Sequence, residues 1–393
     1  MMIMGTLASK RTLGTALLLA PLSCLADSSF EVYGFGMVDY VQAFDRPNPD
    51  WEASLRPSRI VTDPTTAVGS DGQATLSVRQ SRLGVNASTM AGDSELTTKF
   101  EFDMYGVGPD EGQTTIRLRH AYGEWKSILA GQTNSVFMDG DVFPNVIDYW
   151  GPSGMVFLRN PQIRWTPVQG QQTVAVAIET PGSGVNNPNT YPEAGDNEYP
   201  DLTAHFRQTG DWGHFQVAGI LRQVGYDTPA PLAAGTDGKP EDSELGWGVN
   251  LTSTINLLEN DRLILGVVHG EGIANYMNDG GDDMGPDGPI ADPDYQVLPL
   301  TGLIGYYEHA WSDAYSTALG YSSTEVDNSD FQDADAFKKG EYASINLLHA
   351  PNDKVMMGME YLFGKRTANG GDTGYDRRVQ FSVKYSFSSG NLL

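Results

Sequence analysis

From Phe30 to Phe387 apolar and polar residues alternate with a period of two, and short breaks interrupt the alternation along the chain. Period two marks strands with one apolar and one polar face. Sixteen such segments are predicted, and the breaks between them alternate in length. Brief ones fall near Met90 to Asp93, Gly123 to Ser127, Pro167 to Gln171, Thr209 to Gly213, Leu258 to Asp261, Ser312 to Asp313 and Ala350 to Asp353. Long ones fall near 45–73, 105–113, 134–157, 181–199, 225–244, 272–297, 325–340 and 367–377. An even set of strands with brief turns at one end and long connections at the other, both termini on the brief-turn side, predicts an all-β transmembrane antiparallel barrel.

The alternation also assigns faces. Leu96, Thr98, Phe100, Phe102 and Met104 share one face, against Glu95, Thr97, Lys99, Glu101 and Asp103 on the other. Ile116 and Leu118 oppose Arg117 and Arg119, and Val379, Phe381, Val383, Tyr385 and Phe387 oppose Gln380, Ser382, Lys384 and Ser386. An arginine at the bilayer midplane costs roughly 2–4 kcal/mol, so the polar faces are expected to line a wet interior. Trp125, Trp165, Trp212 and Trp311 lie at or beside brief turns, where an interfacial girdle belongs. Trp125 has the wrong parity for an outward position unless a bulge intervenes.

Lys10 and Arg11, the apolar run Leu13 to Leu22, and small residues up to Ala26 read as a cleaved export signal, residues 1–26. The run is about half the roughly 20 residues a spanning helix needs. Residues 27–393 are then one barrel domain. Losing the signal removes the only cysteine, Cys24, and two bases, leaving 23 basic and 50 acidic residues. Such an acidic chain is unsuited to nucleic acid, which demands clustered Lys and Arg. A membrane-embedded barrel instead meets outer-membrane lipid and lipopolysaccharide.

Motifs for catalysis, cofactors or metals are missing: no Gly-x-Ser-x-Gly, no His-Glu-x-x-His, no phosphate-binding glycine loop and no paired cysteines. No cofactor is expected. The positive feature is a set of nine bases within the predicted strands, Arg79, Arg82, Lys99, Arg117, Arg119, Arg159, Arg164, Arg207 and Arg222. Some would pair with lumen carboxylates such as Glu101, Asp103, Glu179 and Glu360. The others would give an aqueous pore a positive field that favours small anionic solutes. The connection Asn134 to Phe157 carries Asp139, Asp141 and Asp148 among Phe137, Phe143, Tyr149 and Trp150. That mixture predicts an inward-folded constriction loop whose acids face the arginines. The aspartates between 279 and 294 are expected on a solvated surface loop.

Several motifs resemble the DcaP-type porins. They are Tyr33-Gly-Phe-Gly, Arg79-Gln-Ser-Arg-Leu-Gly, Gly131-Gln-Thr-Asn-Ser-Val-Phe-Met-Asp, Gln162-Ile-Arg-Trp-Thr, Gly246-Trp-Gly-Val-Asn-Leu and Gly358-Met-Glu-Tyr-Leu-Phe-Gly-Lys-Arg, followed by the terminal strand. The resemblance implies a homotrimeric sixteen-stranded channel of a Gram-negative outer membrane, associated with uptake of dicarboxylates and similar anions. Only Asp27 to Ser29 separate the signal from the first strand, so no periplasmic helical extension is expected. Six residues follow Phe387, where such barrels usually end. Two other readings compete with a passive anion channel: a barrel hydrolase of lipid or ester, and a plugged structural or adhesive barrel.

Overall fold

A computed structural model describes residues 28–63, 65, 72–106, 114–185, 194–227, 241–288, 294–390 and 392. The expected signal, residues 1–26, lies outside them. Among the described residues sixteen long strands form the wall: Ser28–Ala43, Arg82–Ala91, Ser94–Asp103, Arg117–Trp125, Ile128–Asn134, Arg159–Val168, Gln172–Glu179, Asp201–Gly210, Gly213–Asp227, Glu241–Leu258, Asp261–Glu271, Pro299–Ser312, Tyr315–Val326, Phe337–Asn352, Val355–Ala368 and Thr373–Ser388. Each pairs antiparallel with the next. The last strand pairs with the first from Tyr33↔Ser388 to Ala43↔Arg378, which closes the barrel. Closure leaves no unpaired edge, the condition for a sheet to exist in hydrocarbon.

All seven brief turns fall where the alternation places them. Two-residue hairpins favour left-handed backbone at their centre. Gly92 provides it at φ 70°, and Lys126 adopts φ 56° without being glycine. The eighth connection differs from expectation. Instead of a long loop over 367–377, the ladder continues through Arg366↔Gly374 and Thr367↔Thr373, leaving a tight turn from Asn369 to Asp372. Asp376 and Arg377 break the apolar alternation and so read as loop. Strand ends beyond the hydrocarbon are in water, where polar residues on both faces are tolerated.

The predicted faces hold. Phe100, Ile116, Leu118, Phe381, Tyr385 and Phe387 are exposed on the outer surface, and Glu101, Asp103, Arg119, Gln380 and Ser382 are buried within. All four turn-side tryptophans are exposed. Trp125 reaches the outer face through a bulge. Glu101 pairs with His120 and Phe102 with Leu118, so Arg119 is the extra residue. Past it the parity reverses and Trp125 comes level with Leu96.

The interior is filled unevenly. Wall residues Ile264, Ile304, Tyr306, Tyr342 and Leu362 pack against Leu55, Val142 and Met155 from the connections. A second cluster joins Ala218, Ile220, Val268 and Leu300 to Phe137, Met138, Ile273, Tyr276 and Met277. The connection after Glu271 is thus no solvated loop. It holds the 3-10 turn Ala274–Tyr276 and the small hairpin Met284–Pro286 with Tyr295–Val297, and it buries Tyr276, Met284 and Tyr295. Periodicity could not reveal this, because the buried residues are spaced irregularly among aspartate and glycine.

Candidate functional site

Segment 135–158 is pinned to inward-facing wall residues along its whole course. Glu179 accepts from Ser135 Oγ at 3.0 Å and from the Val136 amide at 2.8 Å. Asp139 takes Arg207 at 3.1 Å, His214 Nε2 at 2.7 Å and Thr252 Oγ1 at 2.6 Å. The Asn145 amide donates to Glu308 at 2.6 Å, and the Ile147 and Asp148 amides donate to Glu360 at 2.6 and 2.9 Å. Burial pushes the Asp139 carboxyl up, but the hydrogen bonds from His214 and Thr252 and the nearby charges outweigh it and hold the group below its ordinary value.

Two of the three acids of this segment meet one of the expected bases, Arg207, and the third, Asp148, meets none of them. Asp139 is an anchor, Asp141 pairs with Arg207, and buried Asp148 accepts from Ser54 Oγ, the Leu55 and Gly151 amides and Tyr342 Oη. A buried carboxylate needs several donors to offset its lost hydration, and the neighbouring connection supplies them. Burial still pushes Asp148 up from its ordinary value. Glu179 and Glu360 likewise take loop amides rather than guanidinium groups. The residue of the segment that meets Arg117 and Arg119 is Tyr149. Its hydroxyl donates to Asp103 at 2.7 Å and accepts from Arg119 at 3.2 Å, while its ring stacks on Tyr105 with centroids 3.7 Å apart.

These groups border a cavity of about 1130 Å³. Arg82, Arg117, Arg119 and Arg159 line one part of it, and Arg56, Arg59 and Arg366 line another. Arg117 grips Asp103 with two bonds, 3.0 and 2.7 Å, and Arg119 bridges Glu101 at 2.7 Å and Asp103 at 2.9 Å. Arg82 and Lys99 stand 3.5 and 3.8 Å from Glu101. Four bases therefore share two carboxylates. Arg159 has the parity of lipid-facing Ile163, but it is the first residue of its strand and its guanidinium lies 4.9 Å from the centre of the Phe157 ring. Among the described residues neither Arg159 nor Arg59 makes an ion pair.

The other expected bases are spent elsewhere. Arg79 lies in a turn before its strand, donates to the Gly106 carbonyl at 3.2 Å and covers the Tyr105 ring. Arg207 holds the loop. Arg222 is fully buried between Asp201 and Asp283, each at 3.3 Å, and donates to the Gly272 and Gly182 carbonyls. Arg164 faces inward but does not border the cavity. Arg56 and Arg59 were missed because they lie in a connection, and Arg366 because it sits near the end of its strand, beside a connection read as a long loop. A usable signal was Trp51 ahead of Arg56-Pro-Ser-Arg59, the same mixture of aromatic and charge that marked 134–157. Arg56 is sandwiched between the Trp51 and Trp150 rings at 4.3 and 4.1 Å and donates to Asp279 at 3.1 and 3.0 Å.

The barrel wall, the internal loop and the basic cavity agree with the comparison by sequence, in which the DcaP outer membrane protein family matches residues 36–387. The chain belongs to that family. It is a β-barrel channel of the bacterial outer membrane, a porin and not an enzyme. The outer membrane channel DcaP of Acinetobacter baumannii superposes with a TM-score of 0.79 at 21% identity, covering 92% of this chain and 98% of that one. The anion-selective porin of Comamonas acidovorans gives 0.59 at 10% identity, over 92% and 100%. A trimer form of Vibrio cholerae OmpT gives 0.57 at 11%, over 92% and 100%. No curated protein sequence matches the chain.

Proposed function

We propose that the channel is a passive path for small anions, dicarboxylates foremost, and that Arg82, Arg117, Arg119 and Arg159 with Lys99 form its selective wall. The observation that carries this reading is the excess of base at the cavity, whose lining holds seven arginines against five aspartates, with Glu101 and Asp103 behind it shared by Arg82, Lys99, Arg117 and Arg119. Two surplus charges about 7 Å from an ion in water attract it by roughly 1.2 kcal/mol, about a sevenfold enrichment. That suffices for preference and is too weak to trap the solute, as conduction requires. Guanidinium groups on two sides of the cavity suit a solute with a carboxylate at each end. Segment 135–158 narrows the lumen in this reading, with Asp139 and Asp141 anchored on Arg207 and Tyr149 providing the contact with Arg117 and Arg119. A homotrimer embedded in lipid and lipopolysaccharide, exported through a leader cleaved after Ala26, completes the proposal. Mass measurement in detergent and N-terminal sequencing check those parts.

Reversal potentials across planar bilayers in a potassium chloride gradient test the channel reading. Their sign should report anion preference, and millimolar succinate should interrupt the current more than acetate does. A cation-directed potential would refute the proposal.

A further inference from the structure

The cavity lining stops at Arg82, but the positive charge continues past it. The Arg82 guanidinium lies 5.2 Å from the centre of the Phe35 ring, and the Lys384 ammonium lies 5.5 Å from the same centre. Phe35 thus carries one cation that borders the cavity and one that does not. Lys384 shares the inward face of the last strand with Gln380 and Ser382, and its ladder partners are Met37 and Met356. Met356 comes just after the brief turn that follows Asn352, whereas Arg82 and Arg117 open their strands at the long-connection end. The lysine is therefore near the periplasmic rim.

Nothing in the surrounding packing needs an ammonium there. Phe35 and Met356 pack with Met37 in an apolar cluster, which Met or Leu at 384 would extend at lower desolvation cost. Among the described residues Lys384 makes no ion pair. Its charge is left for water and for ions in the lumen.

We infer that Lys384 is the exit step of the anion path, receiving solute from Arg82 across the Phe35 ring and passing it to the periplasm. The inference rests on the anion reading above and adds a direction and a second site to it. A single charge about 10 Å from an ion in water changes its partition roughly twofold. In bilayers with the channel inserted from one side, Lys384→Gln should lower the anion-to-cation permeability ratio by about twofold and alter rectification. Lys384→Arg should restore both, and Arg59→Ala, at the opposite mouth, should shift rectification the other way. An anion-selective wild type whose Lys384→Gln variant keeps the same ratio and current–voltage curve would overturn the lysine assignment alone. A cation-selective wild type would remove the anion reading itself.

Discussion

Arg119 and Arg159 border the same cavity with opposite obligations. Arg119 is committed to Glu101 and Asp103, both buried. Truncating one partner of a buried ion pair costs about 3–5 kcal/mol, because the remaining charge is stranded. Arg119→Ala should therefore lower the urea midpoint of the barrel in detergent and weaken anion preference together. Arg159 has a ring contact and no acid to strand. Arg159→Ala should leave unfolding unchanged and reduce the anion-to-cation permeability ratio by about threefold, the effect of one charge about 7 Å from the path. If the two variants lost stability alike, Arg159 would be a structural residue. A sequence reading cannot separate the pair, because both are arginines in alternating segments and the difference lies in the carboxylates that antiparallel register brings alongside.

At the level of the strand, one inserted residue decides which face the next turn of chain presents. The bulge at Arg119 sends Arg119 and His120 both inward and returns Trp125 to the outer surface. Deleting Arg119 would bring Leu118 and His120 together and close the bulge with Tyr122 and Glu124 still inward and Trp125 still outward, removing only the guanidinium that bridges Glu101 and Asp103. The deletion variant should therefore still form a heat-modifiable barrel on gels, with a lowered urea midpoint, whereas a second residue inserted after Arg119 should turn Tyr122 and Glu124 toward lipid and prevent it. Strands and brief turns were legible because lipid on one side and water on the other impose period two. The bulge was legible only as an inconsistency at Trp125. The connections were less so: 134–157 announced itself by its aromatics, while the burial of Tyr276 and Met284 depends on what the barrel places opposite them. The tight turn at Asn369 to Asp372 was hidden for a different reason, since strands that emerge into water lose the apolar face by which they are recognised.

Over the whole molecule the formal charge is −25, yet the cavity is lined by surplus base. The two coexist because screening confines each charge to its surroundings, within about 10 Å at 0.1 M salt and 3 Å at 1 M. Anion preference should accordingly decline when reversal potentials are measured at 1 M rather than 0.1 M mean salt under the same gradient. A preference independent of salt would point to direct contact rather than a field. The same molecule ties its outer half together through Arg56, whose guanidinium joins Trp51, Trp150 and Asp279 from three separate connections. Those connections cannot drift in sequence one at a time. A graft of any single one from a related channel brings in a surface whose counterparts are absent, so the mouth of this pore is inherited as a set of three.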